Sequence, residues 1–188
     1  SAVFLTNNML YSDLQDLLMG VLHALTATID AKDPYTCGHS NRVAIISKRL
    51  AESMGLSSAR VQQIYLTGLM HDIGKIGVPE SVLCKPGRLT AEEYDTVAGI
   101  LYHHERLDGR GYPQGLYGDE VPQIARIIGL ADCFDAMSSD RTYREALPLD
   151  AVISEIRKCA GTQFDPDVVE HLLQWDLEAL LAELCQPA

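Results

Sequence analysis

This 188-residue sequence has no C-x-x-C pair, no long uncharged apolar run and few positive charges. Its five cysteines are scattered and odd in number, which argues against a zinc knuckle or a disulfide framework. Reduced thiols and the lack of a signal peptide predict a cytoplasmic protein. Without a long apolar run, we expect no membrane span in this segment. Net charge is −11, from 15 Lys and Arg against 26 Asp and Glu, which argues against a duplex nucleic-acid binder with a basic face.

The sequence also lacks regular alternation of apolar and polar residues, so it predicts no β-strand of useful length. Apolar residues instead recur at helical spacing through almost every segment. Ser57 or Ser58, and Asp165, are expected to cap helices. The fold class predicted is all-α, with helices over Tyr11 to Ile29, His39 to Gly55, Ala59 to Met70, Ile124 to Met137, Leu149 to Ala160 and one last helix from Pro166 through Leu181.

The first predicted helix carries a broad apolar stripe that includes Leu14, Leu18 and Leu22. It is either a core helix or one that also pairs with a partner. If it pairs with a partner, this helix could form a homodimer contact or connect to an upstream sensor or receiver domain. We therefore interpret residues 1–20 as an N-terminal helical extension and residues 21–188 as the main domain.

Histidine and aspartate residues at helix ends, and Asp132 within an apolar helix, are the candidates for chemistry. A carboxylate in an apolar setting is costly unless it is paired or metal-bound. His71 and Asp72 follow an apolar helix directly, and Gly74 ends it. Adjacent helical residues point about 100° apart, so both side chains reach one point only where the helix ends. Each such residue alone is more often structural, as in a capped and solvated helix end. Six together predict a metal centre, because imidazole and carboxylate suit Zn, Fe, Mn or Ni: His39, His71, Asp72, His103, His104 and Asp132.

Six side-chain donors suit two adjacent divalent ions bridged by one carboxylate, for which Asp72 is the best candidate. Such a centre can activate a water and bind a transferring phosphoryl group. Lys75, about one turn away, can hold a phosphate oxygen. We therefore assign Asp72 and Lys75 as catalytic. His23 and His171 lie on helices without a partner motif and are interpreted as structural.

Eight motifs are spread along the chain. They are Gly38-His39-Ser40, His71-Asp72-Ile73-Gly74-Lys75, Lys85-Pro86-Gly87, His103-His104-Glu105-Arg106, Asp108-Gly109-Arg110-Gly111-Tyr112-Pro113, Ala131-Asp132, Ser139-Asp140-Arg141-Thr142-Tyr143-Arg144 and Gly161-Thr162-Gln163-Phe164-Asp165-Pro166. Together they resemble the HD-GYP branch of the HD phosphohydrolase superfamily, over most of the chain from about Leu22. The resemblance implies a helical bundle that holds two or three iron or manganese ions. It also implies phosphodiesterase activity on cyclic di-GMP, giving linear pGpG and, in some members, GMP.

The same resemblance implies roles for individual residues. The six histidine and aspartate residues look like metal ligands, and Lys75 looks like the cation that holds the phosphate. Gly111-Tyr112-Pro113 looks like the loop that packs on a guanine, and a tyrosine ring can stack on a base. A turn residue that covers the core is an equal alternative for Tyr112. Arg141 and Arg144 resemble ligand-contacting arginines, and their spacing puts them on one helical face; alone they would be a solvated pair.

Two further carboxylates can act on the ligands rather than on the ions. Asp140 and Glu105 are candidates to orient the ligand histidines by hydrogen bonds.

Two departures from the family pattern matter. Related sequences carry another histidine on a helical hairpin, whereas here Glu93 runs almost directly to His103. Either the protein lacks the hairpin, or the protein has it and the sequence given omits it between Val97 and Ala98. We favour the second alternative, because a true deletion would remove a metal ligand and part of the core together. Tyr35 stands where members with a third metal have a glutamate. Since a phenol has a pKa of about 10, we predict two ions.

Three functions follow from these residues. The first is a metal-dependent cyclic di-GMP phosphodiesterase, the output domain of a bacterial signalling protein. The second is a catalytically weak receptor for the dinucleotide or a protein-interaction scaffold, favoured by the absent histidine. The third is another nucleotide phosphohydrolase of the wider superfamily, against which the Gly111-Tyr112-Pro113 loop argues.

Overall fold

The computed structural model describes residues 38–72, 98–140 and 145–184, with helical positions 10, 13, 17, 19–22 and 24–26. Within these ranges there is no β-strand, and two isolated bridges join Asp108 to Tyr117 and Ala160 to Phe164. The all-α prediction is confirmed. Residues 98–102 are also helical. The helices are α1 His39–Ser53, α2 Ser58–Met70, α3 Gln123–Ser138, α4 Leu149–Cys159, α5 Pro166–Leu173 and α6 Leu177–Leu184, with a 3-10 turn at Gly118–Glu120.

Two predicted N-caps are confirmed. The Ser57 hydroxyl accepts a hydrogen bond from Arg60 N–H at 3.4 Å and begins α2. The Asp165 carboxylate accepts from Asp167 N–H at 3.0 Å and begins α5, with Pro166 in the first helical position. Each cap satisfies an amide that has no partner inside the helix.

The last predicted helix is wrong as a single element. It ends at Leu173, and α6 begins separately at Leu177. The Asp176 carboxylate accepts from Ala179 N–H at 3.0 Å, which is a helix-starting interaction. The apolar spacing continued across the break and concealed it, because both helices contribute buried apolar residues to the same core.

Helix α1 lies at the centre of the bundle and packs against α2, α3 and α5. Val43, Ile46 and Leu50 on its inner face are fully buried, as is Phe134 of α3. Burial of each such side chain contributes about 1.5–3 kcal/mol. The core therefore fixes α1 and α3 relative to each other, and these are the helices that carry His39 and Asp132.

Two glycines let the backbone approach closely beside the candidate ligands. A Cβ on Gly68 would lie 3.0 Å from Ala44 Cα, so α2 lies tightly against α1 three residues before His71. A Cβ on Gly129 would lie 2.6 Å from the His103 carbonyl oxygen. These contacts bring α2 and the 98–102 segment towards one point on α1 and α3.

The helical positions before α1, between residues 10 and 26, expose several apolar side chains. Leu10, Leu17, Val21 and Leu25 are 61%, 66%, 48% and 51% exposed, respectively. Its role as a homodimer contact or as a junction with an upstream domain stays a prediction. Among the described residues, no helix combines the length and the apolar character that crossing a membrane requires. Val97 lies outside the described residues, so the junction with Ala98 is not described.

Candidate metal centre

Three buried histidines present one ring nitrogen each to a fixed acceptor. Nδ1 of His39 lies 2.7 Å from Asp135 Oδ2, and Nδ1 of His71 lies 2.7 Å from the Gly68 carbonyl. Nδ1 of His103 lies 2.8 Å from the Ile100 carbonyl. With Nδ1 as the donor in each contact, the neutral ring leaves a free lone pair on Nε2, which is the form that binds metal ions. His39 reaches this form when its Nε2 proton leaves.

The Nε2 atoms and two carboxylates converge on one region. Asp132 Oδ1 lies 3.2 Å from His39 Nε2 and 4.0 Å from His71 Nε2. Asp72 Oδ1 lies 3.6 Å from His71 Nε2. Two overlapping groups result, His39 with His71 and Asp72, and His71 with His103 and Asp132, and the donor atoms within each lie within 4.8 Å of one another. Five of the six predicted ligands are thus brought together.

The predicted ligand His104 lies beside this group rather than within it. Its ring centroid is 4.0 Å from that of His103 and 4.7 Å from that of Tyr112. Its ligand role and the bridging role of Asp72 stay predictions.

Buried imidazoles and carboxylates in this region shift one another's pKa values. Burial opposes a charge on His39, but hydrogen bonds to Asp132 and Asp135 outweigh it and raise the pKa of His39 to about 9. Burial, with repulsion from His71 and His104, lowers the pKa of His103 to about 4. Burial would raise the pKa of Asp132, but the His39 hydrogen bond and neighbouring imidazoles lower it overall. The region thus holds ionised carboxylates next to a neutral imidazole, His103.

The donor set fits a divalent ion. Nε2 of His71 and Nε2 of His103 are buried and make no hydrogen bond, which is unfavourable unless another partner is present. Imidazole nitrogen and carboxylate oxygen bind first-row metals at about 2.0–2.2 Å, so donors within 4.8 Å of one another can share an ion after small adjustments.

Asp135 is a functional candidate that the sequence analysis missed. It is 2% exposed, and besides His39 it accepts hydrogen bonds from Arg42 Nε at 2.6 Å and Arg42 Nη2 at 3.1 Å. Burial would raise the pKa of Asp135, but His39 and Arg42 lower it. The usable signal was its spacing, since Asp135 lies three positions after Asp132 and hence on the same side of α3.

The two carboxylates proposed to orient the ligand histidines have other partners. Glu105 accepts from the amides of Gln114, Gly115 and Leu116 in the glycine-rich loop. Asp140 accepts from Ala146 N–H at 2.8 Å. Asp135 holds His39 instead, so the expectation for Glu105 and Asp140 is wrong.

The glycine-rich loop lies next to the candidate centre. Tyr112 is 61% exposed, and its ring is inclined by 31° to that of His104. Pro113 is exposed next to it and follows a cis peptide bond. A Cβ on Gly111 would lie 2.5 Å from Arg106 N and from Glu105 Cα. This glycine therefore allows the loop to pack closely on its own chain.

Several residues that the sequence analysis gave individual roles lie outside the described residues. They include His23, Tyr35, Gly74, Lys75, Arg141 and Arg144. The roles assigned to them stay predictions.

Two family models match consecutive parts of the chain. One, described as HDOD domain, matches residues 17–92, and one, described as HD domain, matches residues 95–168. The chain belongs to the HD domain superfamily. The resemblance to its HD-GYP branch is confirmed by the relatives described next.

Several curated relatives carry phosphodiesterase names. A Thermotoga maritima protein named cyclic di-GMP phosphodiesterase is 38% identical over 89% of this chain and 52% of its own length. A Vibrio cholerae protein named 3'3'-cGAMP-specific phosphodiesterase 3 is 39% identical over 78% of this chain and 36% of its own length. This HD chain therefore spans about half the length, or less, of the curated relatives that it matches.

A solved structure of a phosphodiesterase is also similar to this chain. The crystal structure of a cyclic GMP-AMP-specific phosphodiesterase of V. cholerae matches with a TM-score of 0.53 and 32% identity. The match covers 89% of this HD chain and 41% of that one.

The relatives carry residues within the matched region that this chain lacks. The alignment to the T. maritima protein spans 191 positions, whereas 89% of 188 residues is about 167. About 24 aligned positions therefore have no residue here. The absence of a hairpin between Val97 and Ala98 stays a prediction.

Proposed function

We propose that this chain is a metal-dependent phosphodiesterase that hydrolyses cyclic di-GMP to pGpG and, with further turnover, GMP. One observation carries the proposal. The Nε2 atoms of His71 and His103 are buried and make no hydrogen bond, and they lie in the same cluster of possible ligands as Asp132 and His39. We propose two divalent ions, iron or manganese, held by His39, His71, Asp72, His103, His104 and Asp132.

Divalent ions supply Lewis acidity and a nucleophile at neutral pH. The protein side chains prepare the site for them. Asp135 and the carbonyls of Gly68 and Ile100 hold the three imidazoles with Nε2 towards the common region. Arg42 balances the charge of Asp135, so that this carboxylate stays ionised while buried. This preorganisation lowers the cost of bringing the ligands together when ions bind.

The substrate proposal depends on the glycine-rich loop and on the relatives' names. Tyr112 presents an exposed ring close to the candidate ligands, where a purine can stack while its phosphate reaches the ions. Lys75, Arg141 and Arg144 are proposed to hold phosphate oxygens. Relatives are named for cyclic di-GMP and for 3'3'-cGAMP, so a guanine-containing cyclic dinucleotide is the substrate class.

The experiment compares the parent chain with Asp72→Ala after loading with Mn(II) or Fe(II). Cyclic di-GMP and 3'3'-cGAMP are each supplied, and linear products are separated by chromatography. We expect linear product from the parent and a loss of at least about 100-fold in the variant, because a residue proposed to bridge both ions is removed. Circular dichroism checks that Asp72→Ala remains folded. Unchanged turnover in this variant would contradict the proposal.

The receptor alternative is not favoured, because the relatives and the structural neighbour carry phosphodiesterase names. Binding of cyclic di-GMP without product by the metal-loaded parent would favour the receptor. Turnover restricted to other nucleotides would favour a different phosphohydrolase.

The remaining assignments are proposals of the same kind. We propose residues 1–20 as an N-terminal extension and residues 21–188 as the HD-GYP domain, with a hairpin absent or skipped near 97–98. We also propose a cytoplasmic location. The free thiols of Cys133 and Cys159 are consistent with a reducing compartment.

A further inference from the structure

The buried carboxylate of Glu105 holds three consecutive amides of the glycine-rich loop. Its Oε1 accepts from Gln114 N–H at 2.7 Å and from Gly115 N–H at 3.1 Å. Its Oε2 accepts from Leu116 N–H at 3.0 Å. Glu105 is only 7% exposed, and a buried carboxylate is costly unless its oxygens are satisfied. The loop and this side chain therefore stabilise each other.

The loop also lies against the backbone next to Glu105. Tyr112 N–H donates to the His104 carbonyl at 3.4 Å, and Gly111 has no room for a side chain above Glu105 and Arg106. Glu105 follows His103 and His104 without a spacer. The residue that fixes the loop is thus covalently continuous with two of the candidate metal ligands.

The position of Tyr112 depends on these contacts. Its ring lies 4.7 Å from the His104 ring, and it leaves 61% of its surface exposed. Residues 114–116, which Glu105 holds, follow Tyr112 after one proline. The three hydrogen bonds therefore limit how far the tyrosine can move away from His104.

We propose that Glu105 is a positioning residue that fixes Tyr112 beside the ion centre, so that a stacked base places its phosphodiester at the ions. This inference rests on the proposed function. A merely structural role would predict that all phosphodiesters lose turnover together, because His103 and His104 would be disturbed. A positioning role predicts loss only for substrates that carry a base.

The experiment uses Glu105→Gln, which keeps the side-chain shape but replaces one acceptor oxygen by a donor group. The control is Glu120→Gln in the same loop, where the exposed carboxylate accepts from Tyr117 N–H at 2.9 Å. Glu105→Asp keeps both oxygens on a shorter side chain. Two substrates are compared, cyclic di-GMP and bis(p-nitrophenyl) phosphate, which has no base.

We expect Glu105→Gln to raise the KM for cyclic di-GMP about tenfold or more, the size of one lost base-stacking contact. Hydrolysis of bis(p-nitrophenyl) phosphate should stay within about threefold of the parent rate, and the bound manganese should be unchanged. Glu120→Gln should match the parent, and Glu105→Asp should fall between. Adding Tyr112→Ala to Glu105→Gln should raise KM no further than Tyr112→Ala alone, because both act through one contact.

An unchanged KM in Glu105→Gln would overturn the inference, as would a parallel loss of manganese and of both activities in Glu105→Gln and Glu105→Asp. If the metal-loaded parent hydrolyses neither substrate, the proposed function fails by itself. Hydrogen exchange and calorimetric binding of cyclic di-GMP then decide the inference. Faster exchange at residues 114–116 with weaker binding in Glu105→Gln would support it, and unchanged exchange or binding would overturn it.

Discussion

Asp135 Oδ2 lies 2.7 Å from His39 Nδ1, although 96 positions separate the two residues. This contact joins the first turn of α1 to the last part of α3, and it leaves His39 Nε2 facing Asp132. A carboxylate behind a ligand imidazole fixes the ring and increases its basicity.

Replacing Asp135 by asparagine should therefore weaken metal binding. The amide can still accept a hydrogen bond, but the negative charge behind His39 is lost. We expect about 10–100-fold lower Mn(II) affinity by calorimetric titration. Asp150→Asn, an exposed carboxylate in the first turn of α4, is the control and should bind Mn(II) as the parent does. Equal affinities in the two variants would show that Asp135 does not act on the ligand.

Tyr112→Ala should lower binding of cyclic di-GMP. Base stacking on an aromatic ring contributes about 1–3 kcal/mol, so the dissociation constant should rise about 5–150-fold. Tyr117→Ala is a matched control, because Tyr117 lies in the same loop and is 68% exposed. Calorimetry on the metal-loaded proteins measures both. If the two variants lose the same affinity, base stacking on Tyr112 is not the cause.

Gly129→Ala should disturb His103 through the backbone. The added Cβ would lie 2.6 Å from the His103 carbonyl oxygen, so α3 or the 103 segment must shift. We expect a loss of about 1–3 kcal/mol in the free energy of unfolding and weaker Mn(II) binding. Gln123→Ala, at an exposed position of α3, should change neither quantity by much. Urea unfolding and metal titration make the comparison, and parent-like values for Gly129→Ala would contradict it.

The Arg106–Asp108 ion pair should make stability depend on acid pH. The Arg106 guanidinium and the Arg110 amide hold the pKa of Asp108 at about 2, below its ordinary value of 3.8. A carboxylate with a lowered folded-state pKa contributes stability above the unfolded value, and this contribution is lost as the pH falls through about 2. Asp108→Asn should therefore have a lower urea midpoint than the parent at pH 5, and the difference should shrink by pH 2.5. A constant difference over this range would contradict the assignment.

Most of the fold was predictable because helical spacing and caps are local. Ser57 and Asp165 cap the helices they were expected to cap, and His39 begins α1. The break between α5 and α6 was missed because apolar spacing continues through it, and Asp176 alone signals the new start.

The candidate site was predictable as a set of residues but not as a geometry. Position at helix ends identified His39 and His71, and a carboxylate in an apolar helix identified Asp132. The fold brings the three within reach of one another. The partner of His39 could not be chosen from sequence, because Asp135, Asp140 and Glu105 all carry a carboxylate. Only the packing of the helices decides which carboxylate reaches the ring. The crowding at Gly111 could not be predicted from sequence, because the loop meets the backbone of Glu105 and Arg106 only in the folded chain.

The long separation between His39 and Asp135 also has a consequence for biosynthesis. A ribosome makes His39 before the carboxylates that fix and accompany it, because these belong to α3, which is among the last parts of the centre to be translated. Nascent chains that end before α3 should therefore bind ions poorly, and the metal centre should form only after α3 has been translated. A truncation ending before residue 123 should accordingly fail to retain manganese through gel filtration, whereas the full chain keeps it.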